Sequence, residues 1–320
     1  MKLVVSGAAE VSDVPGLSAA LNRLEISCAE DQAALARELP GAELLLGWNF
    51  RGRDLAEAFP HADSLKWIHW CGAGVDAVLF PGLVDSGVTL TNARGCFDRA
   101  MAEFVLGYML AHAKGFDQMF KSQAERRWYY RMTERIVGTK ALIYGVGSIA
   151  REVAQVLGGV GVNVAGVGRT ARRDVPVFGE VHSSDTADAV LSEADWVIGV
   201  LPGTIETRNY FDGGFFSKMK PTARFINIGR GTSVDQADLV SALEKGVIAG
   251  AGLDVFATEP LPQDDPIWGA PNLILSPHIS GDYIGHKEDM VTQFLNNLER
   301  YVNGQPLANV VDKEAGYVRD

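Results

Sequence analysis

KALIYGVGSIAREVAQVL, Lys140 to Leu157, changes its pattern in the middle. Ala141 to Tyr144 form a short apolar run of the kind that makes a buried strand. Ser148 to Leu157 place their apolar residues at helical spacing. Between them stands Gly145-Val146-Gly147. Strand, Gly-x-Gly turn and helix together present backbone N–H groups to a pyrophosphate at a helix N-terminus. Gly145 permits a tight turn. Gly147 lets the backbone approach phosphate with no side chain in the way, and Ala150 fills the third small position, where helix packs on strand. Gly145, Val146, Gly147, Ser148 and Ile149 are therefore assigned to a dinucleotide. Glycine turns also join strands to helices for steric reasons alone, so the assignment gains its weight from the flanking sequence.

The next strand is read at Val162 to Val167, followed by Gly168-Arg169-Thr170-Ala171-Arg172-Arg173. An NAD-binding unit places Asp or Glu about twenty residues beyond the first glycine, on the ribose 2′-OH. Here that strand end carries Gly168 and then arginines. A carboxylate would repel a 2′-phosphate, whereas a guanidinium holds one bidentately. NADP(H) is accordingly expected over NAD(H), with Gly168, Arg169 and Thr170 around the phosphate, Arg169 foremost, and Arg172 or Arg173 assisting. A solvated basic loop that tolerates either cofactor is the alternative.

Outward from this unit the chain keeps a βαβ rhythm. Strands are read at 3–5, 24–28, 43–47, 65–70 and 88–91, with helices at 12–23, 31–39 and 53–59. Residues 97–113 read as a long, mostly buried helix and 115–130 as a more polar one. Further strands fall at 196–201, 224–228, 248–253 and 273–275, with helices at 235–245 and 282–303. The tail 305–320 has little periodicity. The pattern predicts parallel sheets with helices on both faces. Composition agrees with a globular chain: 47% hydrophobic and 22% charged residues in 320. A net charge of −11 argues against nucleic acid. Three scattered cysteines offer no disulfide framework and no metal pattern, so a reducing cytoplasm is expected. No signal-peptide architecture or membrane-length apolar run is read.

Three polar residues follow strands of the second half: Arg230 in FINIGRGTSVD, Glu259 in GLDVFATEPLP and His278 in LILSPHISG. Carboxyl ends of parallel strands face the ligand crevice. Arginine can hold a carboxylate in two parallel bonds. Histidine can give a proton to a carbonyl oxygen as hydride arrives at carbon, and glutamate can orient the imidazole and stabilise its cation. Taken singly these are a surface cation, a turn and an ordinary histidine. Taken in this order, downstream of Gly-x-Gly, they suit carbonyl reduction. Another glycine loop, Gly72-Ala73-Gly74-Val75, ends the strand 65–70 and can offer N–H groups to an anion. Trp48 and Asn49, at a strand end, and Tyr283 are candidates to line the substrate pocket. His69 is read as structural.

The stretches GAGVD (72–76), TNARGCFDRAMAE (91–103), GTKALIYGVGSIAREVA (138–154), LPGTIETRNYF (201–211), FINIGRGTSVD (225–235), AGLDVFATEPLP (251–262) and LSPHISG (275–281) resemble the D-isomer-specific 2-hydroxyacid dehydrogenases, in family order along nearly the whole chain. The resemblance implies an α/β fold of two Rossmann-like, doubly wound parallel-sheet domains, the cofactor domain inserted into the substrate domain. The boundaries expected are 1–93 with 285–320 for the substrate domain and 94–284 for the dinucleotide domain. It implies Arg230, Glu259 and His278 as the catalytic trio, and Asp254 on the nicotinamide carboxamide. The backbone of Ala73 to Val75 is implied on the substrate carboxylate. Leu201, Pro202, Thr207, Ile228 and Gly229 complete the cofactor assignments. A homodimer built on the long helix is also implied. Gly168 in place of the usual acid, and Arg94 where many members carry proline, depart from the family pattern. The expected activity is reduction of a small 2-oxo acid to the D-2-hydroxy acid, most like the NADPH-preferring glyoxylate and hydroxypyruvate reductases. The rival expectation is a non-catalytic dinucleotide-sensing protein on the same fold.

Overall fold

A computed structural model describes residues 1–319. The chain divides into two units, Met1–Phe97 with Asp282–Asp320, and Asp98–Gly281.

The first unit carries strands β1 (Lys2–Ser6), β2 (Glu25–Ala29), β3 (Leu44–Gly47), β4 (Trp67–Trp70) and β5 (Thr89–Asn92). They pair in the order β2-β1-β3-β4-β5, all parallel. β3 and β4 are buried along their whole length, as strands covered on both faces must be. The helix expected over 12–23 does not form. Two short 3₁₀ turns, Val11–Asp13 and Leu17–Ala20, stand there instead. Pro15-Gly16 separates them, with Gly16 at φ 84°, a left-handed conformation no continuous helix accepts. The tail finds a use that periodicity could not reveal. Val310 bridges Thr91, Val311 N donates to Leu90 O at 2.8 Å, and Lys313 Nζ donates to the carbonyls of Leu83, Ser86 and Val88. It thereby occupies the edge of β5 that would otherwise present bare backbone.

The second unit carries β6 (Lys140–Tyr144), β7 (Asn163–Gly168), β8 (Arg172–Val175), β9 (Gly179–Ser183), β10 (Trp196–Gly199), β11 (Arg224–Asn227), β12 (Gly250–Leu253) and β13 (Leu273–Leu275). Their order is β13-β12-β11-β10-β6-β7-β9-β8, parallel except for the β8–β9 hairpin. The chain leaves β6 toward β7 and later returns to the other side at β10, so the switch point lies at the carboxyl ends of β6 and β10. The helix Ser148–Gly159 buries Ala150, Val153, Ala154 and Leu157, one stripe at helical spacing. They share an apolar cluster with Ala102, Val105, Met109 and Ala113 of the helix Asp98–Lys114.

Three further differences from the sequence reading have local causes. The helix expected over 115–130 spans only Phe116–Ala124, because Arg126 turns left-handed at φ 52°. The helix expected over 282–303 begins at His286, after Gly285 at φ 101°. The basic stretch after β7 is a loop only through Ala171, since Arg172 and Arg173 belong to β8, an exposed edge strand without apolar alternation.

Candidate active site

At the end of β6, Gly145 has φ 109°, and a Cβ there would stand 2.7 Å from the Val200 carbonyl oxygen. Only glycine fits. Gly147 is the N-cap of the helix Ser148–Gly159, and no side chain caps it. A Cβ on Gly147 would meet nothing within 4 Å, so open space faces the first turn of the helix. A helix N-terminus without a capping side chain, beside room for a ligand and at the switch point of a parallel sheet, fits a dinucleotide pyrophosphate. Val146 packs its methyls over β7: they lie 3.0 Å and 3.4 Å from where side chains on Gly166 and Gly168 would begin.

Arg169 and Thr170 are exposed beyond β7. The Glu206 carboxyl is held below the usual carboxylate range, chiefly by the Thr204 hydroxyl and least by the Arg169 guanidinium. Arg169 is thus within electrostatic reach of the loop after β10. In that loop Thr207 Oγ1 donates to Pro202 O at 2.6 Å and accepts from Thr204 N at 3.0 Å, fixing the turn below Leu201 and Pro202.

The loops after β10, β11 and β12 touch backbone to backbone. A Cβ on Gly229 would stand 2.7 Å from Leu201 O, and one on Gly231 only 1.9 Å from the Phe256 carbonyl carbon. Glycine at both positions lets the loops lock together. Asn227, fully buried at the end of β11, closes the Arg230 turn: Nδ2 donates to Arg230 O at 3.0 Å and Oδ1 accepts from Gly229 N at 3.1 Å. Ser233 Oγ donates to the same Arg230 carbonyl at 2.6 Å. Arg230 Nη1 donates to Gly229 O at 3.0 Å.

Glu259 accepts from Phe256 N on Oε1 at 2.8 Å, and its Oε2 lies 2.6 Å from His278 Nδ1. An ionised carboxylate only accepts, so Nδ1 carries the proton and Nε2 is the nitrogen left for chemistry. The two side chains are 30% and 31% exposed, buried enough to strengthen the pair yet reachable. Arg230, Glu259 and His278 sit on loops at the carboxyl ends of neighbouring strands β11, β12 and β13.

Asp254 lies just past β12. It is fully buried, and its carboxylate accepts from Ser276 Oγ, Ile279 N and Ser280 N. It thereby holds the His278 loop. In the first unit, the carbonyls of Gly72 and Ala73 accept from Ala93 N at 3.1 Å and Asn92 Nδ2 at 2.6 Å, which fixes the peptide planes of the glycine loop. The Val75 side chain is core, 1% exposed. Trp48 is half-buried just past β3 and Asn49 is exposed. The Tyr283 hydroxyl donates to Asp289 and lies 3.3 Å from Cys96 O, which ties it within its own unit. His69 is structural: buried completely, with Nδ1 2.9 Å from Thr91 Oγ1, and pushed down to about 3 by burial.

Sequence reading did not find Asn227, Ser276 or Tyr108. A polar residue at the inner end of an apolar strand was the available signal for Asn227. Tyr108, inside an apolar helix, looks like any core aromatic. Among the described residues no cluster of three or more His, Cys, Asp or Glu is placed to hold a metal ion, and no helix is long and apolar enough to cross a membrane.

Comparison with known proteins agrees with this geometry. Residues 106–280 match the family model described as D-isomer specific 2-hydroxyacid dehydrogenase, NAD binding domain. Glyoxylate/hydroxypyruvate reductase A of Photorhabdus laumondii is 32% identical over 271 residues, covering 82% of this chain and 84% of the relative. The crystal structure of an NADPH-dependent glyoxylate/hydroxypyruvate reductase from Sinorhizobium meliloti, in complex with NADP and sulfate, superposes with a TM-score of 0.85 at 30% identity, covering 99% of each chain. A family protein from Aeromonas salmonicida gives a TM-score of 0.85 at 32% identity, covering 98% of each chain. The chain belongs to the D-isomer specific 2-hydroxyacid dehydrogenase family and is an oxidoreductase with an NAD(P)-binding domain.

Proposed function

We propose that this enzyme reduces a small 2-oxo acid of the glyoxylate or hydroxypyruvate kind to the D-2-hydroxy acid, with NADPH as the preferred cofactor. The observation that carries the reading is the His278–Glu259 pair at 2.6 Å, on strand-end loops that also carry Arg230. Gly145 to Ile149 would hold NADPH, which would supply the hydride when bound. Arg230 binds the substrate carboxylate through paired N–H donors. His278 donates its Nε2 proton to the carbonyl oxygen as the alkoxide develops. Glu259, bonded to Nδ1–H, keeps the ring in that orientation and stabilises its cation beforehand.

Preference for NADPH rests on the end of β7. A Cβ on Gly168 would meet only ordinary contacts, the nearest 3.4 Å away at Val146. Room for an acid exists, so its absence is not a steric necessity. Arg169 next to it suits a 2′-phosphate, and the Sinorhizobium relative, whose structure holds NADP, supports the assignment. The homodimer expected from the sequence is assigned to the segment after the helix Asp98–Lys114. Phe120, Trp128, Tyr130 and Met132 there are 67%, 97%, 84% and 90% exposed, a concentration of apolar surface that a monomer rarely leaves in water.

The test is the initial rate with glyoxylate, hydroxypyruvate, pyruvate and phenylpyruvate, each with NADPH and with NADH. Glyoxylate or hydroxypyruvate with NADPH is expected to be fastest. Turnover with none of the pairs would overturn the reading. A preference for NADH would overturn the role given to Arg169 alone.

A further inference from the structure

His278 holds a left-handed backbone conformation, φ 58°. A residue with a Cβ keeps that conformation only when its surroundings impose it. One buried carboxylate holds the backbone that follows His278. Asp254 accepts from Ile279 N on Oδ1 and from Ser280 N on Oδ2, both at 2.9 Å, and so fixes the peptide units that follow the histidine. Asp254 Oδ1 also takes Ser276 Oγ at 2.5 Å, just before Pro277. Ser276 Oγ in turn lies 2.6 Å from the Tyr108 hydroxyl, which is 2.9 Å from Leu253 O.

Counting protons fixes the direction of this chain. The carboxylate only accepts, so the single Ser276 hydrogen goes to Asp254. Ser276 Oγ then accepts from Tyr108, whose hydrogen is shared with the Leu253 carbonyl. Burial, helped by the Asp254 charge, pushes the Tyr108 phenol up, which keeps it a donor.

We propose that Ser276 and Tyr108 are positioning residues: they aim the buried Asp254 carboxylate so that it clamps residues 278–280 in the shape that presents His278 to Glu259. The catalytic half of this inference rests on the function proposed above. The structural half does not. A clamp made of charge-assisted bonds is strong and directional, and losing one member loosens the others.

The experiment compares the wild type with Ser276→Ala, Ser276→Thr and Tyr108→Phe by amide hydrogen exchange across residues 276–281, alongside kcat, KM, NADPH Kd and Tm. In Ser276→Ala the amides of Ile279 and Ser280 are expected to exchange about tenfold faster and kcat with NADPH and glyoxylate to fall about tenfold, with KM and Kd within about twofold. Ser276→Thr, which keeps the hydroxyl, is expected to restore both readouts to within about twofold, and Tyr108→Phe to shift them about threefold. Unchanged exchange in Ser276→Ala overturns the clamp, whatever the activity. Faster exchange with unchanged kcat overturns its catalytic role. Faster exchange in a protein whose wild type reduces no 2-oxo acid leaves the clamp standing and overturns the proposed function instead.

Discussion

The two units start alike and then part. β1 runs into Gly7 at φ 84° and β6 into Gly145 at φ 109°, so each sheet opens with a strand and a left-handed glycine. After Gly7 the chain satisfies itself: Ala9 N and Glu10 N donate to Asp13 Oδ2 at 2.9 and 3.0 Å, and only 3₁₀ turns follow. After Gly145 the chain leaves Gly147 without a Cβ, then starts a helix with no capping side chain. One strand end carries its own anion and the other fits a ligand's. The parallel topology supplies a place for a cofactor in both units, but a few residues after the first strand decide which one can be used. The histidines divide the same way. His69 is sealed in the first unit without charge, and His278 in the second stands paired and reachable.

Giving the second unit the first unit's device should break the contrast most. Gly147→Asp places a carboxylate where the turn has open space. The fold should survive, while NADPH Kd, followed by fluorescence titration, rises about a hundredfold or more through lost N–H contacts and charge repulsion. An unchanged Kd would mean that the turn does not hold phosphate. A smaller effect is expected at the end of β7. Gly168→Asp should lower kcat/KM with NADPH and raise it with NADH, shifting their ratio about ten- to hundredfold by repelling the 2′-phosphate. A ratio that does not move would remove Arg169 and its neighbours from cofactor choice.

The smallest effect on activity concerns the sealed histidine. Burial lowers His69 from 6.5 to about 3, so between these values the unfolded chain binds a proton that the folded chain refuses. Stability is therefore lost as pH falls from about 6.5 toward about 3, at up to about 1.4 kcal/mol per pH unit. Urea unfolding at stepped pH should show this slope in the wild type and a shallower one in His69→Asn. Equal slopes would place the acid sensitivity elsewhere.

Much of the fold was legible because it is local. β6, its glycine turn and its helix follow from the change of period at Gly145, and Arg230, Glu259 and His278 from their places just past apolar runs. What was not legible was either conformational or distant. Pro15-Gly16 and Arg126 end helices that their apolar spacing would continue. β8 is an exposed edge strand, so Arg172 and Arg173 show no alternation. The family resemblance assigns Asp254 to the cofactor, and only packing reveals that its carboxylate also holds Ser276 and the His278 loop. Tyr108 lies far from Ser276 in sequence, and nothing in an apolar helix announces a hydroxyl that reaches an active-site loop.

The most direct test of the central claim is NADPH oxidation by glyoxylate in the wild type and in His278→Gln, with NADPH Kd measured for both. The account predicts equal Kd and a kcat lower in His278→Gln by about 10²–10⁴-fold, the contribution of a positioned acid–base group. A His278→Gln protein that turns over at the wild-type rate would contradict it.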